Sequence, residues 1–145
     1  IVNPDIIREW IVPYVLRLRE LCGPEIYVPN WVGENYLKNP LEMLDLKFQV
    51  CPGFIEGQDP DVAELGPELY KTYAEKKNVP LILGIGAAFL ASSPPEEIRE
   101  RVRHYIEVGG KDGRFALLLC NIGATTPPEN VHAAIDAVYQ YGDYR

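Results

Sequence analysis

No stretch of this chain stays apolar for anything near the roughly 20 residues that a bilayer span requires, so a membrane protein is not expected. Cysteine is scarce as well. Cys22, Cys51 and Cys120 lie far apart with no Cys-x-x-Cys spacing. An odd, sparse set argues against a disulfide framework and for a reducing compartment, with the cytoplasm as the expected location. Clustered positive charge is missing too: 14 Lys and Arg stand against 21 Asp and Glu, and the net charge of -7 is spread along the chain. Nucleic acid is held by clustered Lys and Arg, so it is not an expected partner. Arg99, Arg101 and Arg103 come closest to a basic stripe, but Glu96, Glu97 and Glu100 interleave with them, which reads as a solvated helix face. No signal-peptide pattern is expected at the start, since Ile1 runs at once into a charged, helix-like segment.

What is present is one domain's worth of globular chain. Its 145 residues are 47% apolar, enough to bury a core. Proline and glycine punctuate it. Asn3-Pro4 opens a helix that carries Ile7, Ile11, Tyr14, Val15 and Leu18 and ends at Gly23-Pro24, with a kink expected at Pro13. The run Glu25 to Val28 reads as a first strand. Asn39-Pro40 starts a short helix, and Phe48 to Cys51 reads as a second strand. Gly53 to Pro60 is rich in turn formers and reads as a loop. A helix from Asp61 to Lys77, broken near Gly66-Pro67, leads to a third, continuously apolar strand, Val79 to Ile85.

Ser93-Pro94-Pro95-Glu96 has the spacing of a capping box. Its helix carries Ile98, Val102, Tyr105 and Ile106 on one face and closes at Gly109-Gly110. Phe115 to Cys120 is the fourth strand. Thr126-Pro127-Pro128-Glu129 is a second capping box before Val131, Ala134, Ile135 and Val138, and Gly142 finishes that helix. Apolar strands alternating with amphipathic helices predict an α/β protein with a parallel sheet. Four strands suffice for half a barrel, and a small doubly wound sheet fits the order equally well. Working groups are expected beyond the C-terminal ends of the strands.

Ser93 to Arg99, then Gly109-Gly110, a strand, and Thr126 to Val131 together resemble the C-terminal signature of the uroporphyrinogen decarboxylase superfamily. That superfamily includes the corrinoid and coenzyme M methyltransferases. Trp10-Ile11-Val12-Pro13-Tyr14 resembles the helix before the fifth barrel strand of these proteins. The resemblance spans nearly the whole chain, strong after Pro80 and looser before it, and residues 1–145 are read as one domain. It implies half of a (β/α)8 TIM barrel, four parallel strands with flanking helices, completed by an N-terminal half or by a second copy. In the methyltransferase branch a His-x-Cys-Gly motif and a Cys at the end of the eighth strand bind zinc. The matching positions here read Asn30-Trp31-Val32-Gly33 and Cys120, so Cys120 is the one ligand type retained. In the decarboxylase branch a His stands at that strand end.

Three functions follow as expectations. One is a corrinoid-linked methyltransferase half, with cobalamin carried on a partner protein and zinc at Cys120 as its metal. Another is a decarboxylase of a porphyrinogen or another acid. The last is a non-catalytic half-barrel that binds or assembles. Cys120, Glu34 and Glu56 are the candidate catalytic groups: a thiol at a strand end and two carboxylates for acid–base work or ligation. Asn30, Trp31, Gln58 and Asn121 are candidate substrate contacts, and Gly84 and Gly86 a loop where missing side chains admit a close approach. Cys51, at the end of the second expected strand, is a possible thiol neighbour of Cys120. His104 and His132 lie within helices and are assigned to the outer layer.

Overall fold

The computed structural model describes residues 3–26 and 31–143. Its order begins with a helical arm: α1 (Pro4–Ile6), a π-helical turn (Ile7–Ile11) and α2 (Val12–Cys22). The Asn3 side chain caps the arm by accepting from the Ile6 N–H. Pro13 has no N–H to give, and the chain absorbs this with one wide turn in which the Val12 N–H reaches the Ile7 carbonyl. Gly23, at φ +110°, ends α2 in a conformation that favours glycine.

A 3-10 turn (Glu34–Tyr36) leads into α3 (Pro40–Val50). There follow β1 (Ile55–Gln58), α4 (Asp61–Leu65), α5 (Pro67–Lys77), β2 (Leu81–Ile85), α6 (Ala87–Ser92) and α7 (Pro95–Gly109). Another 3-10 turn (Gly110–Asp112), β3 (Phe115–Leu119) and α8 (Pro128–Tyr141) complete the described chain.

The second expected strand is corrected here. Phe48, Gln49 and Val50 continue α3, because Met43, Lys47 and Val50 recur at helical spacing and are all buried. The strand lies instead inside the expected loop, at Ile55–Gln58, where Gly57 occupies a core position beneath the Tyr70 ring. Of the first expected strand, Glu25 lies in a turn and Ile26 in no regular element, while Tyr27 and Val28 lie outside the described residues. Among the described residues the sheet therefore has three strands, not four.

All three strands run parallel in the order β1-β2-β3, with Ile55, Leu81 and Phe115 side by side. Alternate side chains point to opposite faces. Ile55, Leu81, Leu83, Ile85, Phe115, Leu117 and Leu119 belong to the main apolar cluster, with Tyr70, Tyr73, Leu90, Ile98, Val102 and Tyr105 from the helices. α5 packs on β1 and β2, α7 on β2 and β3, and α5, α7 and α8 pack in succession, so these helices form one layer. Successive parallel strands joined this way contain no reversal of order, which a doubly wound sheet needs.

The other face is thinly covered: Ala116 is exposed and Glu56, Gln58, Ile82 and Leu118 are half-buried. A second apolar cluster, Ile7, Val12, Val15, Met43, Leu46 and Val50, seats the arm on α3. Among the described residues no helix is long and apolar enough to cross a membrane.

Neither expected capping box forms. α7 begins at Pro95 with Pro94 in the cap position, and α8 at Pro128 with Pro127 there, and proline has no side-chain acceptor to offer. Ser93 and Thr126 thus fall one residue outside. The Thr126 hydroxyl accepts instead from the Gly123 N–H, closing the preceding loop.

Candidate functional site

The thinly covered face ends in the residues that carry chemistry. Glu56 and Gln58 share that face of β1, and the Gln58 amide donates to the Glu56 carboxylate at 2.5 Å. Gly84 lies beside Gln58 in register on β2. A side chain at Gly84 would come within 2.5 Å of the Cys120 Sγ and 3.1 Å of Gln58 Cγ. The glycine thus makes room for the protein's own thiol. Cys120 follows β3, its N–H held by the Ile85 carbonyl at 2.9 Å, and is buried. Burial, then the nearby Asp59 and Glu56 charges, push its thiol up to about 11. It is a protonated donor at neutral pH, not a thiolate.

Behind this face lies a hub at Asp59, one of the acids crowded with Glu56, Gln58 and Asp61 in the sequence, whose partners the sequence did not show. Asp59, just past β1, accepts from the Tyr105 hydroxyl (2.5 Å), from Arg101 (3.0 Å) and from the Gly86 N–H (3.1 Å). A Cβ at Gly86 would meet the Asp59 Cβ at 2.9 Å, so this glycine also serves an internal contact. Burial and the Asp59 carboxylate both raise the Tyr105 phenol above its ordinary range. Arg101 lies over the Phe89 ring at 4.1 Å. It is therefore not part of the solvated face assigned to it. Arg99 and Arg103 do pair with the acids Asp136, Glu100 and Glu107 near the surface. The signal was periodicity: Ile98, Arg101, Val102 and Tyr105 share one face of α7.

Glu34 lies elsewhere. It is buried against the Lys47 ammonium, and its carboxyl lies beside that of Asp61, itself buried at the start of α4. Burial and the adjoining Asp61 raise Glu34 to about 7 against the pull of Lys47. Burial pushes Asp61 up, but Glu34 and bonds from the Gly33 N–H (2.6 Å) and the Asn35 N–H (3.2 Å) bring it below its ordinary value.

Of the expected substrate contacts, Trp31 is half-buried with its indole N–H on the Met43 sulfur at 2.9 Å, which makes it a packing residue. Asn121 is exposed at φ +50°, and Asn30 lies outside the described residues. The structure thus brings together Glu56, Gln58, Gly84 and Cys120, sets Gly86 on Asp59, and gives Glu34 and Trp31 other surroundings. Cys51, half-buried in the second apolar cluster, is a free thiol, as are Cys22 and Cys120. His104 and His132 are exposed on α7 and α8.

Among the described residues no group of three or more His, Cys, Asp and Glu side chains is gathered as a metal ion would need. Zinc takes three or four protein ligands, and the residues around Cys120 do not assemble them. The face thus brings the Cys120 thiol, the Gln58 amide and, one layer below, the Glu56 carboxylate into one candidate site. In comparisons with protein families, curated proteins and solved structures, the chain has no significant match.

Proposed function

We propose that this chain is the C-terminal half of a barrel of the uroporphyrinogen decarboxylase superfamily. Joined to an N-terminal half, it would handle a methyl group passing between a corrinoid on a separate protein and a small acceptor or donor. The observation that carries this reading is the sheet: three consecutive parallel strands with helices on one face, and on the other Gln58 and Cys120 toward the C-terminal end with Glu56 one layer below, beside Ile82. That face is where a closed barrel keeps its interior and its mouth.

Within this reading, Glu56 is the acid–base group, held in orientation by the Gln58 amide, and the Cys120 thiol donates a hydrogen bond to the bound acceptor. Corrinoid supplies the methyl carrier from its own protein, and the partner half supplies the remaining strand ends. The setting is the cytoplasm, and nucleic acid is not a partner. Decarboxylation of a polycarboxylate fits less well, because it needs cations and this face carries the Glu56 carboxylate.

The test is methyl transfer from methylcobalamin to a small thiol, by this chain alone and by the chain joined to an N-terminal half-barrel. The reading expects no transfer by the chain alone, transfer by the joined protein, and loss of about 100-fold or more in Glu56→Gln, the scale of a general acid–base contribution. Transfer by the chain alone, or a joined protein indifferent to Glu56, would overturn it. Porphyrinogen turnover by the joined protein would favour the decarboxylase. Tight association with no turnover of either kind would favour a binding module.

A further inference from the structure

The group formed by Glu34, Lys47, Asp61 and Tyr70 takes no part in the sheet-face site and rests on none of the barrel reading. It joins four pieces of chain: the 3-10 turn gives Glu34, α3 gives Lys47, α4 gives Asp61 and α5 gives Tyr70. Glu34 and Asp61 are both fully buried. Asp61 also fixes the backbone of the turn by accepting from Gly33 and Asn35. Tyr70 adds a buried phenol with no hydrogen-bond partner, raised by burial and then by the charges of Glu34 and Asp61. It stays neutral throughout the pH range in question.

We infer that this cluster is a proton-controlled latch: the proton shared by Glu34 and Asp61 keeps residues 31–36 seated on α3 and α4, and its loss releases them. The charges give the reason. With the proton in place, the Lys47 ammonium balances one carboxylate, and the buried group is neutral overall. Without it, two carboxylates share one ammonium in a site closed to water. Buried net charge of that kind is relieved by letting solvent in. The turn is the piece with the least core of its own: α3, α4 and α5 are held by the core, whereas this segment meets it only through the partly buried Trp31 and Leu37.

The direction of the pH effect follows from linkage. Glu34 keeps its proton up to about 7 when the latch is closed, and in the open form gives it up at the ordinary value of 4.5. Opening therefore becomes more favourable as pH rises through this window, by about tenfold per unit, and levels off above it. Release would uncover Trp31 and the turn next to the β1–α4 connection that begins at Gln58.

Amide exchange on the whole chain, measured from pH 5 to 8.5 and corrected for intrinsic exchange, reads this directly at Gly33 and Asn35. The latch expects their protection to fall about tenfold per unit up to about pH 7 and then to hold steady. Glu34→Gln should keep protection high and flat. Asp61→Asn leaves Glu34 facing only Lys47, so the fall should end at a lower pH. Protection that does not vary with pH in the unaltered chain, or the same fall in Glu34→Gln, would overturn the inference. If Glu34→Gln also loses protection at Leu83 in β2, it has unfolded. The Asp61→Asn profile then decides, and one identical to the unaltered chain overturns the latch.

Discussion

Gly57 and Gly84 show how much rests on single atoms. A Cβ at Gly57 would lie 2.7 Å from the Tyr70 ring and from Val62, both in the closed core. Gly57→Ala is expected to cost about 1–3 kcal/mol by overpacking, whereas Gly123→Ala, with nothing nearer than 4.0 Å, should be close to neutral. Urea midpoints separate the two. Cys120 carries a chemical prediction. Because burial and nearby carboxylates hold its proton, iodoacetamide should modify the exposed Cys22 first, and Cys120 should react appreciably only as pH nears about 11. Mass spectrometry of the peptides gives the order. Glu34 adds a stability prediction. Its folded value lies above the ordinary 4.5, so its contribution to stability declines from pH 4.5 to about 7 and is constant beyond. Glu34→Gln should therefore gain on the unaltered chain between pH 5 and 8, read as a shift in urea midpoint.

At the scale of elements, the joints matter more than the caps. Asn130, at the start of α8, is buried and donates to the carbonyls of Leu90 (2.8 Å) and Ser93 (3.0 Å), tying α8 to the α6–α7 connection. Asn130→Ala strands both acceptors and should cost about 2 kcal/mol. Asn3→Ala, which removes an exposed cap from the arm, should cost about 1 kcal/mol or less. Thermal melts of both variants test the ranking. Helices were legible from Asn3-Pro4, Gly66-Pro67 and Gly109-Gly110 because proline and glycine constrain their own backbone wherever they stand. Phe48 to Cys51 was misread because β-prone side chains were weighed without knowing that α3 buries Met43, Lys47 and Val50 along one line. Ile55–Gln58 was misread for the opposite reason: Glu56, Gly57 and Gln58 look like a loop until Tyr70 covers the glycine and β2 supplies the ladder.

For the whole molecule, the decisive feature is a small, open parallel sheet. Among the described residues, β1 and β3 each have one neighbour, and the face bearing Glu56, Gln58 and Cys120 is only partly covered, with Ala116 exposed and Glu56, Gln58, Ile82 and Leu118 half-buried. Open edges of this kind favour association. Light scattering across a concentration series should find this chain self-associating, and a strictly monomeric chain would count against the half-barrel reading. Sequence by itself determined the α/β class, the third and fourth expected strands and the helices that follow them, because apolar periodicity and turn residues act over a few positions. It also singled out Gly84 and Cys120 near strand ends, and Glu56 and Gln58 as candidates, though in an expected loop and not in the strand that holds them. Their meeting on one face, the Asp59 hub and the Glu34–Asp61 pairing were decided only in three dimensions. Each depends on contacts between residues 13 to 46 positions apart in the chain, and no local pattern encodes which acid a distant tyrosine, arginine or lysine will find.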